Sequence, residues 1–128
     1  MKLLLDTHLL LWASEGPSHL SATARKLIAD SANELIFSVA SIWEIAIKHA
    51  KGFPSFQANP GLIRDSALQN GYTELDVTGR HVLAIQNLPP LHKDPFDRIL
   101  IAQVMVEGIT LLTADQTIAR YPGPIRKV

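Results

Sequence analysis

The chain has 128 residues, 47% of them apolar and 19% charged, with a formal net charge of zero. That length suits one domain, residues 1–128, with a real hydrophobic core. The balanced charge supplies no whole-molecule field drawing the protein to nucleic acid or membrane, though it leaves room for a few local phosphate contacts.

No cysteine is present, which excludes disulfides, thiolate nucleophiles and cysteine zinc sites. The opening MKLLLDTHLLLW is interrupted by Asp6 and His8, and no small-residue cleavage site follows, so it does not read as a signal peptide. No stretch supplies the ~18 uninterrupted apolar residues of a membrane span. The expectation is an intracellular, cytoplasmic protein.

Lys2–Leu5 reads as a buried strand with Asp6 at its carboxyl end. Thr7–Ser14 suits a short helix or turn, closed by Gly16-Pro17. Ser21 can cap a helix reaching about Asp30, with Ala24, Leu27 and Ile28 on one face. Glu34–Ser38 reads as a second strand. In the helix that follows, Ile42, Trp43, Ala46, Ile47 and Ala50 share helical spacing, and Gly52 ends it. Trp12 and Trp43 are expected in the core.

After a Pro-punctuated loop, Pro60 to about Asn70 is a helix, Tyr72–Val77 a short strand, and Thr78 the cap of a helix toward Leu88. Pro89-Pro90 stops that helix. Asp94-Pro95 then opens the most apolar helix, which Gly108 ends. Ile109–Thr113 is a strand, and a short helix, a Pro-Gly-Pro turn and IRKV follow. Strands alternating with helices imply a parallel sheet covered on its faces, an α/β fold.

In such sheets, function gathers beyond the carboxyl ends of the strands. Asp6 ends the first strand, Glu44 lies on the helix after the second, Asp97 sits in the first turn of the apolar helix, and Asp115 follows the strand ILLT. Four acids from distant stretches can therefore meet at one edge. Clustered carboxylates repel and need stabilising. A hard divalent cation such as Mg²⁺ does so through oxygen ligands, activates a bound water and steadies phosphoryl oxygens.

Each acid also has an ordinary structural use. Asp94 fits an N-cap with Pro95 at N1, Asp97 a helix-dipole position, Glu44 a pair with Lys48 or a capping box with Ser41, and Asp115 the cap of the short helix. His8, His49 and His92 form no paired zinc motif. Lys48, Lys51, Lys93 and Arg98 suit either a phosphate rim or a solvated face.

LLLDTHLLLW, SIWEIAIK, HKDPFDRILIAQ and LLTADQTIARY appear in that order across almost the whole chain. Together they resemble PIN-domain proteins, specifically the small VapC-type toxins of bacterial toxin–antitoxin pairs. The resemblance implies a Rossmann-like three-layer α/β/α sandwich and an Mg²⁺- or Mn²⁺-dependent endoribonuclease. It implies Asp6, Glu44, Asp97 and Asp115 as catalytic metal ligands, with Asp94 as cap or auxiliary ligand and Thr113 as an auxiliary hydroxyl. The motif departs at His8, where many relatives carry Asn; His8 is then expected to alter substrate contact or pH behaviour. The implied partners are RNA, a small antitoxin and a second copy of the chain. A receiver domain or a haloacid-dehalogenase-type phosphatase would need acids and a lysine that this chain lacks. A non-catalytic RNA- or protein-binding module of the same fold is the alternative.

Overall fold

The computed structural model describes residues 1–128. Its strands are β1 (Lys2–Leu5), β2 (Glu34–Ser38), β3 (Thr73–Leu75), β4 (Thr110–Thr113) and β5 (Ile125–Lys127). They form one sheet in the order β3-β2-β1-β4-β5, and each neighbouring pair is parallel. The helices are α1 (Thr7–Glu15), α2 (Ala22–Ala29), α3 (Val39–Ala50), α4 (Pro60–Gln69), α5 (Gly79–Ala84), α6 (Pro95–Glu107) and α7 (Gln116–Ala119).

Strand alternation divides the core into layers. Leu4, Ile36 and Leu111 join residues of α3 and α6 on one face of the sheet. Leu3, Leu5 and Leu112 pack with Leu9 of α1 and with Leu20 and Ala24 on the other. Phe37 anchors a further cluster with Leu10, Ile45 and Ile63. The result is a three-layer α/β/α sandwich of Rossmann-like strand order. No helix is long and apolar enough to cross a membrane.

The most apolar helix is the one most enclosed. Ile99 through Val104 are all buried in α6, as its lack of a polar face requires. It ends because Gly108 takes a left-handed conformation, φ 68°, and returns its N–H to Val104 O.

Four expectations need correction. The inward face of α3 is Ala40, Ser41, Glu44 and Ile45, not the stripe containing Trp43. Successive residues differ by about 100° around a helix. Turning Glu44 inward therefore carries Trp43 outward, where it is 61% exposed. Trp12 is only half-buried, with its ring against His8 and His19. β3 is shorter than Tyr72–Val77, and α5 gives way at Ile85 to a 3₁₀ turn ending at Asn87, ahead of the prolines that cannot continue it.

Candidate metal centre

The strand order reverses between β1 and β4, the position at which open α/β sheets form a crevice. Asp6 follows β1 and Asp115 follows β4. Because α6 ends just before β4 begins, its first turn, with Asp97, lies at the carboxyl edge of the sheet. α3 leaves the carboxyl end of β2 directly and carries Glu44 in its second turn.

The ordinary structural uses of these acids are real, and they fix the cluster's geometry. Asp6, 4% exposed, caps α1: Oδ1 accepts the Leu9 N–H at 2.9 Å, and Oδ2 accepts the Thr113 hydroxyl at 2.6 Å. The same Thr113 oxygen accepts the Asp115 N–H at 3.0 Å. One buried hydroxyl thus ties the acid after β1 to the acid after β4. Asp115 Oδ1 caps α7 through the Thr117 and Ile118 N–H groups. Asp94 Oδ1 caps α6 through the Phe96 and Asp97 N–H groups. In both caps the bonds fall on one carboxylate oxygen, which orients the side chain without consuming the other. The Thr7 hydroxyl donates to Ser41 Oγ at 2.9 Å and ties α1 to α3.

Asp97 meets His92, whose Nε2 lies 2.7 Å from Oδ2. The donor atoms of His92, Asp97 and Asp115 lie within 4.8 Å of one another. Asp6 and Glu44 stand outside this trio but act on it electrostatically. Burial, followed by the negative charge of Asp94, raises the Asp97 carboxyl to about 7; Glu44 adds to the rise and His92 opposes it. Burial also raises Asp6, with Asp115 contributing and the Thr113 and Leu9 hydrogen bonds opposing. Glu44 is 2% exposed. Its Oε2 binds Lys48 Nζ, while its Oε1 has no hydrogen-bond partner. The donor set is therefore rich in carboxylate oxygen and short of protein hydrogen. That is the chemistry a hard divalent cation satisfies.

The structure brings together Asp97 and Asp115 directly, and Asp6 to Asp115 through Thr113. His8 is exposed, and with Asp6, Trp12, Ala114 and Asp115 it lines a cavity of about 260 Å³. The supposed basic rim is reduced. Lys48 is committed to Glu44, and Arg98 donates to Ile85 O, Pro89 O and Tyr121 Oη; Lys51 and Lys93 remain exposed. His49 is engaged with Phe56 O. Sequence reasoning placed no weight on His92 as a partner of Asp97. The two are five residues apart across a helix start, and that spacing has no regular meaning until the loop is folded.

Asp94→Ala is expected to remove the α6 cap and cost about 1 kcal/mol, while leaving divalent-metal binding by the cluster in place. Thermal unfolding and a metal titration check this together; lost binding at unchanged stability would make Asp94 a working part of the centre.

A family model described as PIN domain matches residues 3–124. No curated protein matches the sequence. Among solved structures, a chain of the Rickettsia felis VapBC2 complex with promoter DNA superposes with a TM-score of 0.74 at 15% identity, covering 100% of this chain and 99% of that one. A chain of the DNA-bound VapBC complex from Salmonella typhimurium gives 0.68 at 14%, covering 99% and 98%. The sarcin–ricin-loop-cleaving VapC toxin of Mycobacterium tuberculosis gives 0.65 at 14%, covering 93% and 95%.

Proposed function

The chain belongs to the PIN-domain family, and on that premise we propose that it is a metal-dependent endoribonuclease, the cytoplasmic toxin of a toxin–antitoxin pair. The observation that carries the reading is Glu44. It is a buried carboxylate with one oxygen lacking any hydrogen bond, close enough to Asp97 for its charge to raise that acid's pKa. Lys48 pairs only with the other oxygen, so a buried, unpartnered carboxylate oxygen beside a second acid leaves room for an added cation.

Asp6, Glu44, Asp97 and Asp115 would hold Mg²⁺ or Mn²⁺, with Asp94 as cap and auxiliary acid. When bound, the metal supplies an acidified water and offsets charge developing on the phosphoryl oxygens of RNA. The chain's own groups set the geometry. Thr113 holds Asp6 and Asp115 in fixed relation. Helix caps hold Asp94 and Asp115. His8 and Trp12 form the wall of the adjoining cavity, suited to a ribose or base beside the cleaved phosphate.

The proposed partners are the RNA substrate, a small antitoxin and a second copy of the chain. The antitoxin follows from the VapBC complexes whose fold this chain shares. An apolar hollow of about 390 Å³ lined by Trp43, Val77, Val82 and Phe96 among others marks an interaction face that suits either protein partner.

A mixed RNA pool incubated with the protein and Mg²⁺ or Mn²⁺ tests the activity. Discrete fragments that disappear with EDTA support the nuclease. Intact RNA from folded protein that does bind the ion would favour a non-catalytic binding module instead.

A further inference from the structure

We propose that His92 is a nitrogen donor to the ion, so that the centre prefers Mn²⁺ to Mg²⁺; the inference rests on the metal-site reading above. Neighbouring ligands of an octahedral ion with bonds of about 2.1 Å lie about 3.0 Å apart. His92 Nε2 and Asp97 Oδ2 are already 2.7 Å apart, and an Asp115 oxygen completes a trio of donors within 4.8 Å. An ion held by both groups would replace the hydrogen bond that joins them here.

The loop carrying His92 is anchored by two side chains, Tyr121 and Arg98. The His92 N–H donates to Tyr121 Oη at 2.8 Å, and Tyr121 is 4% exposed. Arg98 donates to that same oxygen at 3.1 Å, to Pro89 O at 3.1 Å and to Ile85 O at 3.3 Å. Arg98 and Tyr121 are positioning residues: they place the backbone from which the imidazole reaches Asp97. A donor held in advance loses little conformational entropy on binding.

Glu44, outside this trio but close enough to act on the Asp97 charge, is a further sign that the acidic group is short of cations. Its Oε1 is buried and unpartnered although Lys48 and His92 already stand in the cluster. Protein cations alone leave the acids incompletely satisfied. The donor chemistry then sets the metal. Mg²⁺ takes oxygen ligands and retains its waters, whereas imidazole suits transition ions.

An ordinary ion pair between His92 and Asp97 would have the opposite consequence. A histidine acting only as a cation competes with the metal, so its removal would tighten binding. Metal-stripped full-length protein is therefore titrated with Mn²⁺ and with Mg²⁺ by calorimetry, as wild type, His92→Ala, His8→Ala and Tyr121→Phe. Bound Mn²⁺ is also examined for nitrogen hyperfine modulation of its electron spin echo. The expected result is tighter Mn²⁺ than Mg²⁺ binding by wild type, and a loss of Mn²⁺ affinity of about tenfold or more in His92→Ala, with a much smaller change for Mg²⁺. Tyr121→Phe loses less, and the nitrogen signal survives His8→Ala but not His92→Ala.

Unchanged or tighter Mn²⁺ binding by His92→Ala overturns the proposal and leaves the metal site intact, as does wild-type Mn²⁺ without a nitrogen signal. Wild type that binds neither ion overturns the metal-site reading itself. Should His92→Ala fail to fold, the wild-type echo signal and its persistence in His8→Ala still decide.

Discussion

Asp97→Asn is expected to lower RNA cleavage by about 10³-fold or more, because the charge stabilisation lost with a metal ligand is worth several kcal/mol. The same substitution is expected to make the metal-free protein more stable at pH 8. The folded chain holds the Asp97 proton up to about pH 7, whereas the ordinary value is 3.8. Between those values the folded state binds more protons than the unfolded one, so stability falls as pH rises through that window and levels off above it. Asn pays no such ionisation cost. Since Asp97 remains in partial contact with water, screening reduces the gain to about 1–2 kcal/mol. Near pH 4 the variant and the wild type should unfold alike. Denaturant unfolding in EDTA at pH 4, 6 and 8 checks the sign; a variant less stable than wild type at pH 8 would contradict it. Metal binding displaces that proton, so affinity for Mn²⁺ should rise with pH up to about 7 and then level off.

Lys48→Met is expected to destabilise the metal-free protein by about 2–3 kcal/mol. The ammonium group is the one cation bonded to the Glu44 carboxylate, whose side chain is 3% exposed against 22% for Lys48. Without it, neither Glu44 oxygen has a protein partner. Methionine keeps an unbranched aliphatic stem but removes the ammonium, which also lies 5.0 Å from the Phe56 ring centroid, so the loss combines the Glu44 ion pair with a smaller cation–π contribution. Mn²⁺ should then raise the melting temperature of Lys48→Met more than that of wild type, because the ion meets a carboxylate not already neutralised. An equal metal response in the two proteins would show that Glu44 takes no part in binding.

The fold was largely legible because its signals are local and redundant. Lys2–Leu5 is a short apolar run followed at once by Asp6, Ile109–Thr113 is one followed two residues later by Asp115, and α6 has almost no polar face. The outward turn of Trp43 was not legible, because an aromatic residue amid aliphatics carries the same pattern whether it faces the sheet or a partner. Only the requirement that Glu44 point inward decides it.

At the site, the positions of Asp6, Asp97 and Asp115 could be read because strand ends and helix starts of a parallel sheet share one edge. The alternatives of capping and clustering proved to be one arrangement, since Asp6, Asp94 and Asp115 cap helices while standing in the acidic group. The Arg98–Tyr121–His92 network was hidden. It joins the Arg98 side chain and the His92 backbone N–H to one tyrosine hydroxyl 23 and 29 residues away, and composition and periodicity carry no trace of such contacts.

These carboxylates are proposed to hold a divalent cation at the β1–β4 crevice. Anomalous diffraction from a crystal soaked in Mn²⁺ tests it most directly. The expected result is a peak within coordination distance of the Asp97 and Asp115 carboxylates, absent from Asp97→Asn crystals grown alike. A soaked crystal with no peak at the crevice, or with one unaltered by Asp97→Asn, would contradict it.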